Sequence, residues 1–212
     1  MPVILPKLYP ITDARLAGLS HAEQVVRLTS GGAGVIQLRE KHGEAREFFG
    51  EAEAALRVAR ERGALLIIND RVDIALALGA DGVHLGQDDL PPEAARRILG
   101  ERAVIGFSTH NVEQARLAAS LPIDYLAIGP IFSTSSKANP DPTVGLEGLR
   151  RVREAVPHLT LVAIGGITLE NAQQTLAAGA DSLAVISALL SDPEQIESRT
   201  AEWIKTGQHR RR

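Results

Sequence analysis

The stretch LLIINDRVDIALALGADGVHLGQDDL, residues 65–90, decides how the rest of the chain is read. It carries two short apolar runs, at 65–68 (extending back to Ala64) and 82–85, without the alternation of a half-solvated strand, so both faces must be covered. Between them RVDIALALG leaves room for about two helical turns. Strand, short helix, strand is a parallel unit. Each run also stops in a polar cluster, Asn69-Asp70-Arg71 after the first and Gln87-Asp88-Asp89 after the second. Carboxylates at matching ends of neighbouring buried strands repel one another and lose hydration, so that corner calls for a cation.

The same unit recurs outward in both directions. Further runs rich in Val, Ile and Leu lie at 8–11, 35–38, 104–107, 125–128, 159–164 and 182–186, making eight expected strands. Amphipathic patterns separate them: SHAEQVVRLTSGG, REFFGEAEAALRVARERG, PPEAARRILGE, NVEQARLAAS, LEGLRRVREAV and TLENAQQTLAAGA. Ser20 followed by Glu23 reads as a capping box, and Pro91 and Pro92 stand where a first helical turn tolerates proline. SGGAGVIQLR, LGADGVHLGQ and AGADSLAVIS form a weak internal repeat in which a glycine closes one helix before the next strand. The expected fold is a single-domain α/β protein of the (β/α)8 TIM-barrel class over residues 1–206, with a basic tail, 207–212, frayed and disordered. A doubly wound open sheet would need a Gly-x-Gly-x-x-Gly after an early strand, and the chain has none.

Bulk composition excludes several classes. The 212 residues carry 23 Lys and Arg against 26 Asp and Glu, a net charge of −3, which gives no pull towards nucleic acid or anionic membrane. With no cysteine there is no disulfide framework, thiolate nucleophile or cysteine-ligated zinc, and a cytoplasmic setting is expected. The N-terminal MPVILPKLYPIT is broken by Pro6 and Lys7 and does not read as a secretory signal, and no apolar run is long enough to span a bilayer.

In a barrel of this kind the active site lies at the C-terminal ends of the strands. Those ends are polar or glycine-rich in all eight units. In QLREK, residues 37–41, alternation sets Gln37, Arg39 and Lys41 on one face and Leu38 and Glu40 on the other, so an amide and two cations converge as a polyanion site. Asp70 and Asp89 end adjacent strands and can reach one cation, in the way Mg2+ takes one or two carboxylates plus phosphate oxygens. Asp88 rivals Asp89 or caps the next helix; Asp73 and Asp81 belong to helix and turn. His84, inside its strand, reads as a packed histidine with a satisfied nitrogen, and His110 as helping to open a helix. The loop GPIFSTSSKANPDPTVGLEGL, 129–149, is long for its place and rich in hydroxyls, with one lysine, as a lid over phosphates would be. Gly165-Gly166 and Ile186-Ser187-Ala188 occupy the corner where this fold commonly binds a phosphate. Two anion sites on one rim point to an enzyme joining a diphosphate substrate to a phosphorylated acceptor.

At these residues the chain resembles the thiamin-phosphate synthases. YPITD, QLREK, IINDRVDIALALGADGVHLGQDDLP, IGFSTHN, DYLAIGPIFSTSSK, GLEGL, AIGGIT and AVISA stand in family order over nearly the whole chain. The resemblance implies a (β/α)8 barrel that joins hydroxymethylpyrimidine diphosphate to a thiazole phosphate, releases diphosphate, requires magnesium and acts dissociatively. It implies that Gln37, Leu38, Arg39, Glu40, Lys41 and Asn69 hold the pyrimidine diphosphate and that Asp70 and Asp89 bind Mg2+. Ser108 would contact the pyrimidine, Lys137 the diphosphate, and Thr134, Ser135, Ser136, Gly166, Ile186 and Ser187 the thiazole phosphate. Arg39, Lys41, Ser108 and Lys137 are the expected catalytic groups. The lid motif departs from the family's Thr-x-Thr-Lys, reading Thr134-Ser135-Ser136-Lys137, which keeps the hydroxyl and loses a methyl. The expected partners are these small molecules, with no nucleic acid and no membrane, and a homo-oligomer is open.

Other readings are weaker. A related isomerase that aromatises a thiazole carboxylate phosphate uses a histidine near the end of strand six, where this chain has Gly129-Pro130-Ile131. A non-catalytic regulator that binds thiamin intermediates would have no need of Asp70, Asp89 and Lys137. A sugar-phosphate isomerase would account for the strand-seven and strand-eight corner but not for the acid pair beside QLREK.

Overall fold

The computed structural model describes residues 3–134 and 142–208, with side chains to residue 206. Eight strands form in chain order: β1 Leu8–Pro10, β2 Val35–Leu38, β3 Leu65–Asn69, β4 Gly82–Leu85, β5 Val104–Thr109, β6 Tyr125–Ile128, β7 Thr160–Ile164 and β8 Ser182–Val185. Every pairing is parallel, and the hydrogen-bonded order is β1-β8-β7-β6-β5-β4-β3-β2. The two ends of that list meet through one bridge, Ile11 with Gln37, and a bond from Thr12 N to Gln37 O of 2.9 Å. The strands therefore surround an interior, as expected for a (β/α)8 barrel. β5 runs two residues beyond the expected 107 and takes Ser108 and Thr109 into the sheet, because Ser108 pairs with Ala127 and Thr109 with Ile128.

The helices are α1 Ala14–Ala17, α2 His21–Ser30, α3 Ala45–Glu61, α4 Val72–Leu78, α5 Pro92–Leu99, α6 Val112–Ala118, α7 Gly145–Ala155, α8 Leu169–Ala177, α9 Ser187–Leu190 and α10 Ile196–Gln208. Local sequence accounts for their starts. Ser20 and Glu23 make the reciprocal capping box of α2, and Pro92 opens α5 behind Pro91. Since Pro91 is the N-cap of α5, Asp88 does not cap it. Asn111, not His110, caps α6 by accepting from Gln114 N. α10 continues to Gln208, two residues into the segment expected as tail. No helix of the described residues is long and apolar enough to cross a membrane.

Strand alternation divides the core in two. Ile36, Leu38, Leu66, Ile68, Val83 and Leu85 point outward to the helices, where each is fully or almost fully buried. Tyr9, Val35, Ile67, Tyr125, Val162 and Ala184 point inward and fill the barrel. Opposite Tyr125 the partner residue on β5 is Gly106, where a Cβ would lie 2.0 Å from the Tyr125 ring. Only glycine lets that large side chain cross the neighbouring strand.

Three acids tie the N-terminal rim together. Asp81, before β4, accepts from Leu66 N at 2.8 Å; Asp124, before β6, from Ile105 N at 2.7 Å; Asp181, before β8, from Leu161 N at 2.9 Å. Arg96 of α5 and Arg153 of α7 close the second and third ties, reaching Asp124 at 2.7 Å and Asp181 at 2.6 Å. Both guanidiniums also donate to nearby backbone carbonyls, so their planar donor sets are well used.

Candidate active site

At the C-terminal rim the ends of β3 and β4 are flush. Asn69 pairs with His84, and Asp70 N donates to His84 O at 2.8 Å. The chain then turns at once into α4, which forces Asp70 to φ +62°, the left-handed region. No other non-glycine residue among the described ones has positive φ. For a residue with a Cβ this costs on the order of 1 kcal/mol, although aspartate tolerates it better than most. Past β4 the loop folds back so that Asp89 Oδ2 accepts from Gly86 N at 2.7 Å. Burial, opposed by that bond and reinforced by the Asp70 carboxylate within hydrogen-bonding reach, pushes the Asp89 carboxyl above its ordinary range. The two acids anticipated at neighbouring strand ends therefore do meet.

Lys41 lies on the same corner, its Nζ 2.5 Å from Asp70 Oδ2. Arg39 reaches Asp13 Oδ2 at 3.4 Å. Asn69 is 7% exposed, and among the described residues its Nδ2 has no hydrogen-bond partner. An orphaned buried donor costs roughly 1–3 kcal/mol, a cost relieved when an acceptor arrives. Two carboxylates would suit a divalent cation, and an ammonium and an unused amide donor would suit the oxygens of a phosphate. Among the described residues no cluster of three or more His, Asp or Glu side chains could hold a metal alone. A cation at the acid pair would thus take its remaining oxygens from substrate and water, as Mg2+ commonly does.

The other residues of QLREK divide as alternation requires. Gln37 turns inward to the Tyr9 hydroxyl, while Leu38 is fully buried on the helix side, leaving only its backbone towards the rim. Glu40 also faces away from Arg39 and Lys41. Its Oε1 accepts from His42 N at 2.7 Å and Gly43 N at 3.1 Å, and its Oε2 lies 3.6 Å from His21 Nε2. Glu40 and His21 help line a cavity of about 420 Å³ between the N-termini of α2 and α3, beside the acid corner and outside the barrel mouth.

Ser108 is held from two sides. Its carbonyl accepts from Gln87 Nε2, and its Oγ lies 2.8 Å from His84 Nε2. His84 is buried, with its Nδ1 2.9 Å from the Tyr125 hydroxyl, so both ring nitrogens are satisfied, as the packed reading anticipated. Burial pulls its pKa down to about 4 and keeps the imidazole neutral. Tyr9 and Tyr125 were not singled out in the sequence. The available signal was that they are the chain's only two tyrosines and that each sits in an apolar strand.

On the far side of the mouth the β6–α7 loop leans on glycine. Ile131 N donates to Ile164 O at 2.9 Å and Phe132 N to Gly165 O at 3.0 Å, carrying the loop over the end of β7. Gly166 has φ +63°, and a Cβ there would lie 2.5 Å from Ser133 O. The loop returns through Val144 N to Pro130 O at 2.8 Å and Gly145 N to Ile131 O at 3.1 Å. Thr134 therefore leaves next to Gly166, and Ser187 opens the four-residue α9 directly after β8. Ser135, Ser136 and Lys137 lie outside the described residues.

Known proteins resemble this chain over most of its length. A family model described as thiamine monophosphate synthase matches residues 8–189. The thiamine-phosphate synthase of Koribacter versatilis is 49% identical over 208 residues, 95% of either chain. That of Chloroflexus aurantiacus is 46% identical over 186 residues, 87% of this chain and 85% of the relative. Among solved structures, thiamine phosphate pyrophosphorylase from Pyrococcus furiosus superposes with a TM-score of 0.85 at 40% identity, covering 95% of both chains.

Proposed function

The chain belongs to the thiamine monophosphate synthase family and, as an enzyme of that family, joins hydroxymethylpyrimidine diphosphate to hydroxyethylthiazole phosphate with release of diphosphate; from that premise we propose how its own residues do so. The observation that carries the assignment is the corner where Asp70 and Asp89 meet beside Lys41 and the unpartnered Asn69 amide.

Asp70 and Asp89 hold Mg2+, which when bound supplies positive charge to the diphosphate. Lys41 then exchanges its contact with Asp70 for a diphosphate oxygen, and Arg39 does the same from Asp13, so both cations lie where negative charge grows as the leaving group departs. Asn69 donates to the same substrate. Leu38 and Glu40 act through the backbone course of their loop, since one side chain is buried among helices and the other is tied to His42 N and Gly43 N. Ser108 contacts the pyrimidine, whose ring shares the positive charge left on the methylene carbon, and the thiazole nitrogen attacks that carbon. No protein nucleophile is needed. Thr134, Ser135, Ser136, Gly166, Ile186 and Ser187 take the thiazole phosphate, with loop amides and hydroxyls as donors. Lys137 carries its role at the diphosphate from the sequence resemblance. Catalysis in the cytoplasm and assembly into a homo-oligomer belong to the same proposal.

The test mixes the protein with both substrates and Mg2+, with an EDTA control, and follows thiamin phosphate. Product that disappears with EDTA supports the reading. EDTA-insensitive product removes the metal role of the acid pair.

A further inference from the structure

Beneath the mouth a line of buried polar groups crosses the barrel from β2 to β5. Gln37 Nε2 donates to the Tyr9 hydroxyl at 3.4 Å, and the Tyr9 and Tyr125 hydroxyls are 2.9 Å apart. Tyr125 is 2.9 Å from His84 Nδ1, and His84 Nε2 is 2.8 Å from Ser108 Oγ. The rings are locked as well. His84 stacks on Tyr125 at 19° with centroids 5.5 Å apart, Tyr9 meets Tyr125 edge-on at 5.8 Å, and Gly106 leaves room for the Tyr125 ring.

The protons on this line can be assigned by counting. An amide nitrogen only donates, so the Tyr9 oxygen accepts from Gln37, and its own proton needs an acceptor. Among the described residues the Tyr125 oxygen is the one within reach. The Tyr125 proton then goes to His84 Nδ1. With Nδ1 accepting from Tyr125, the imidazole carries its proton on Nε2. Nε2–H therefore donates to Ser108 Oγ, and the Ser108 proton is left facing the mouth. The opposite direction would strand the Tyr9 proton in the interior, at roughly 1–3 kcal/mol.

We propose that this line of hydrogen bonds runs in one direction, from Gln37 to Ser108, and obliges the Ser108 hydroxyl to donate to an unprotonated ring nitrogen of the pyrimidine, with Tyr125 and His84 as positioning residues. The proposal rests on the function assigned above. It makes Ser108 selective, because a hydroxyl that presents its proton to the mouth gains a hydrogen bond from a bare ring nitrogen and none from a C–H at the same place.

The experiment measures kcat and KM with hydroxymethylpyrimidine diphosphate and with its two monodeaza analogues, in each of which one ring nitrogen is replaced by C–H. Wild-type protein should lose about tenfold on one of the two analogues, the worth of one hydrogen bond. Tyr125→Phe should raise KM for the parent pyrimidine, leave KM for the thiazole phosphate unchanged, and cut the analogue penalty to below about threefold. Tyr9→Phe should do less, because Tyr125 can still donate to His84. Equal penalties in wild type and Tyr125→Phe would overturn the proposal, as would equal rises in both KM values in the two Phe variants, the signature of packing alone. Should Tyr125→Phe fail to fold, Ser108→Ala serves instead: the penalty must vanish, and its persistence overturns the proposal. Wild-type protein that makes no product from the parent pyrimidine would instead sink the functional reading, and this one with it.

Discussion

The two rims of the barrel use the same residue type for opposite ends. At the N-terminal rim Asp124 accepts from the strand amide of Ile105 and from Arg96, whose side chain is 12% exposed, so its charge is matched and its geometry satisfied. At the C-terminal rim Asp70 sits at φ +62° with Asp89 against it and an unused Asn69 donor beside it. One arrangement holds the fold together. The other leaves charge and hydrogen-bonding capacity unspent, which destabilises the free protein and readies it for a metal and a diphosphate.

The sharpest break of that comparison is Asp70→Asn. Asparagine accepts a left-handed backbone as readily as aspartate but brings no charge, so the Mg2+-dependent rate should fall at least about 100-fold while the melting transition stays in place. Activity that survives would remove Asp70 from the metal site.

Asp124→Ala is the mirror experiment. It takes the carboxylate from Arg96, which keeps its backbone carbonyls, and leaves the Ile105 amide unpaired near the floor of the barrel, so stability measured by urea unfolding should drop by roughly 2 kcal/mol with kcat unchanged. A loss of kcat at full stability would erase the functional distinction between the rims.

Asp70→Gly should raise stability by about 1 kcal/mol, since glycine reaches positive φ without penalty, even as it removes activity. No gain would mean that the turn at Asp70 stores no strain.

Acid should also act through Asp89. Its folded pKa lies above the unfolded value, so the unfavourable contribution of the ionised group is present above the folded pKa and fades as pH falls through it. In that window Mg2+ affinity should weaken while this group's contribution to stability improves slightly, and Asp89→Asn should flatten that part of the stability–pH curve. An unchanged slope would separate Asp89 from Asp70.

Much of the fold was legible because burial on both faces leaves a mark that needs no partner to be read. The runs at 35–38, 82–85 and 125–128 coincide with β2, β4 and β6 to the residue. The expected ends at 107 and 186 fell short of and beyond the sheet, since pairing with β6, rather than apolar character, carries β5 on to Ser108 and Thr109. Within the site, Asp70 and Asp89 were legible because an acid that ends an apolar strand stands out against its neighbours. Asn69 could be placed, but its unpartnered amide could not. Nor could the contact between Lys41 and Asp70, whose residues are 29 apart and meet only through the β2–β3 pairing.

By itself the sequence determined the alternation of eight buried strands with helices, the polar character of every strand end, and the membership that follows from those motifs. These are properties of local pattern, set by the period of each element and by which residues a covered strand tolerates. Only the tertiary structure decided that Tyr9 and Tyr125 share one hydrogen bond across 116 residues, that Gly106 makes space for the second of them, and that His84 connects them to Ser108. Strand alternation says on which side of the sheet a group lies. What it meets there depends on closure of the barrel, which brings groups from β1, β2, β4, β5 and β6 within bonding distance of one another.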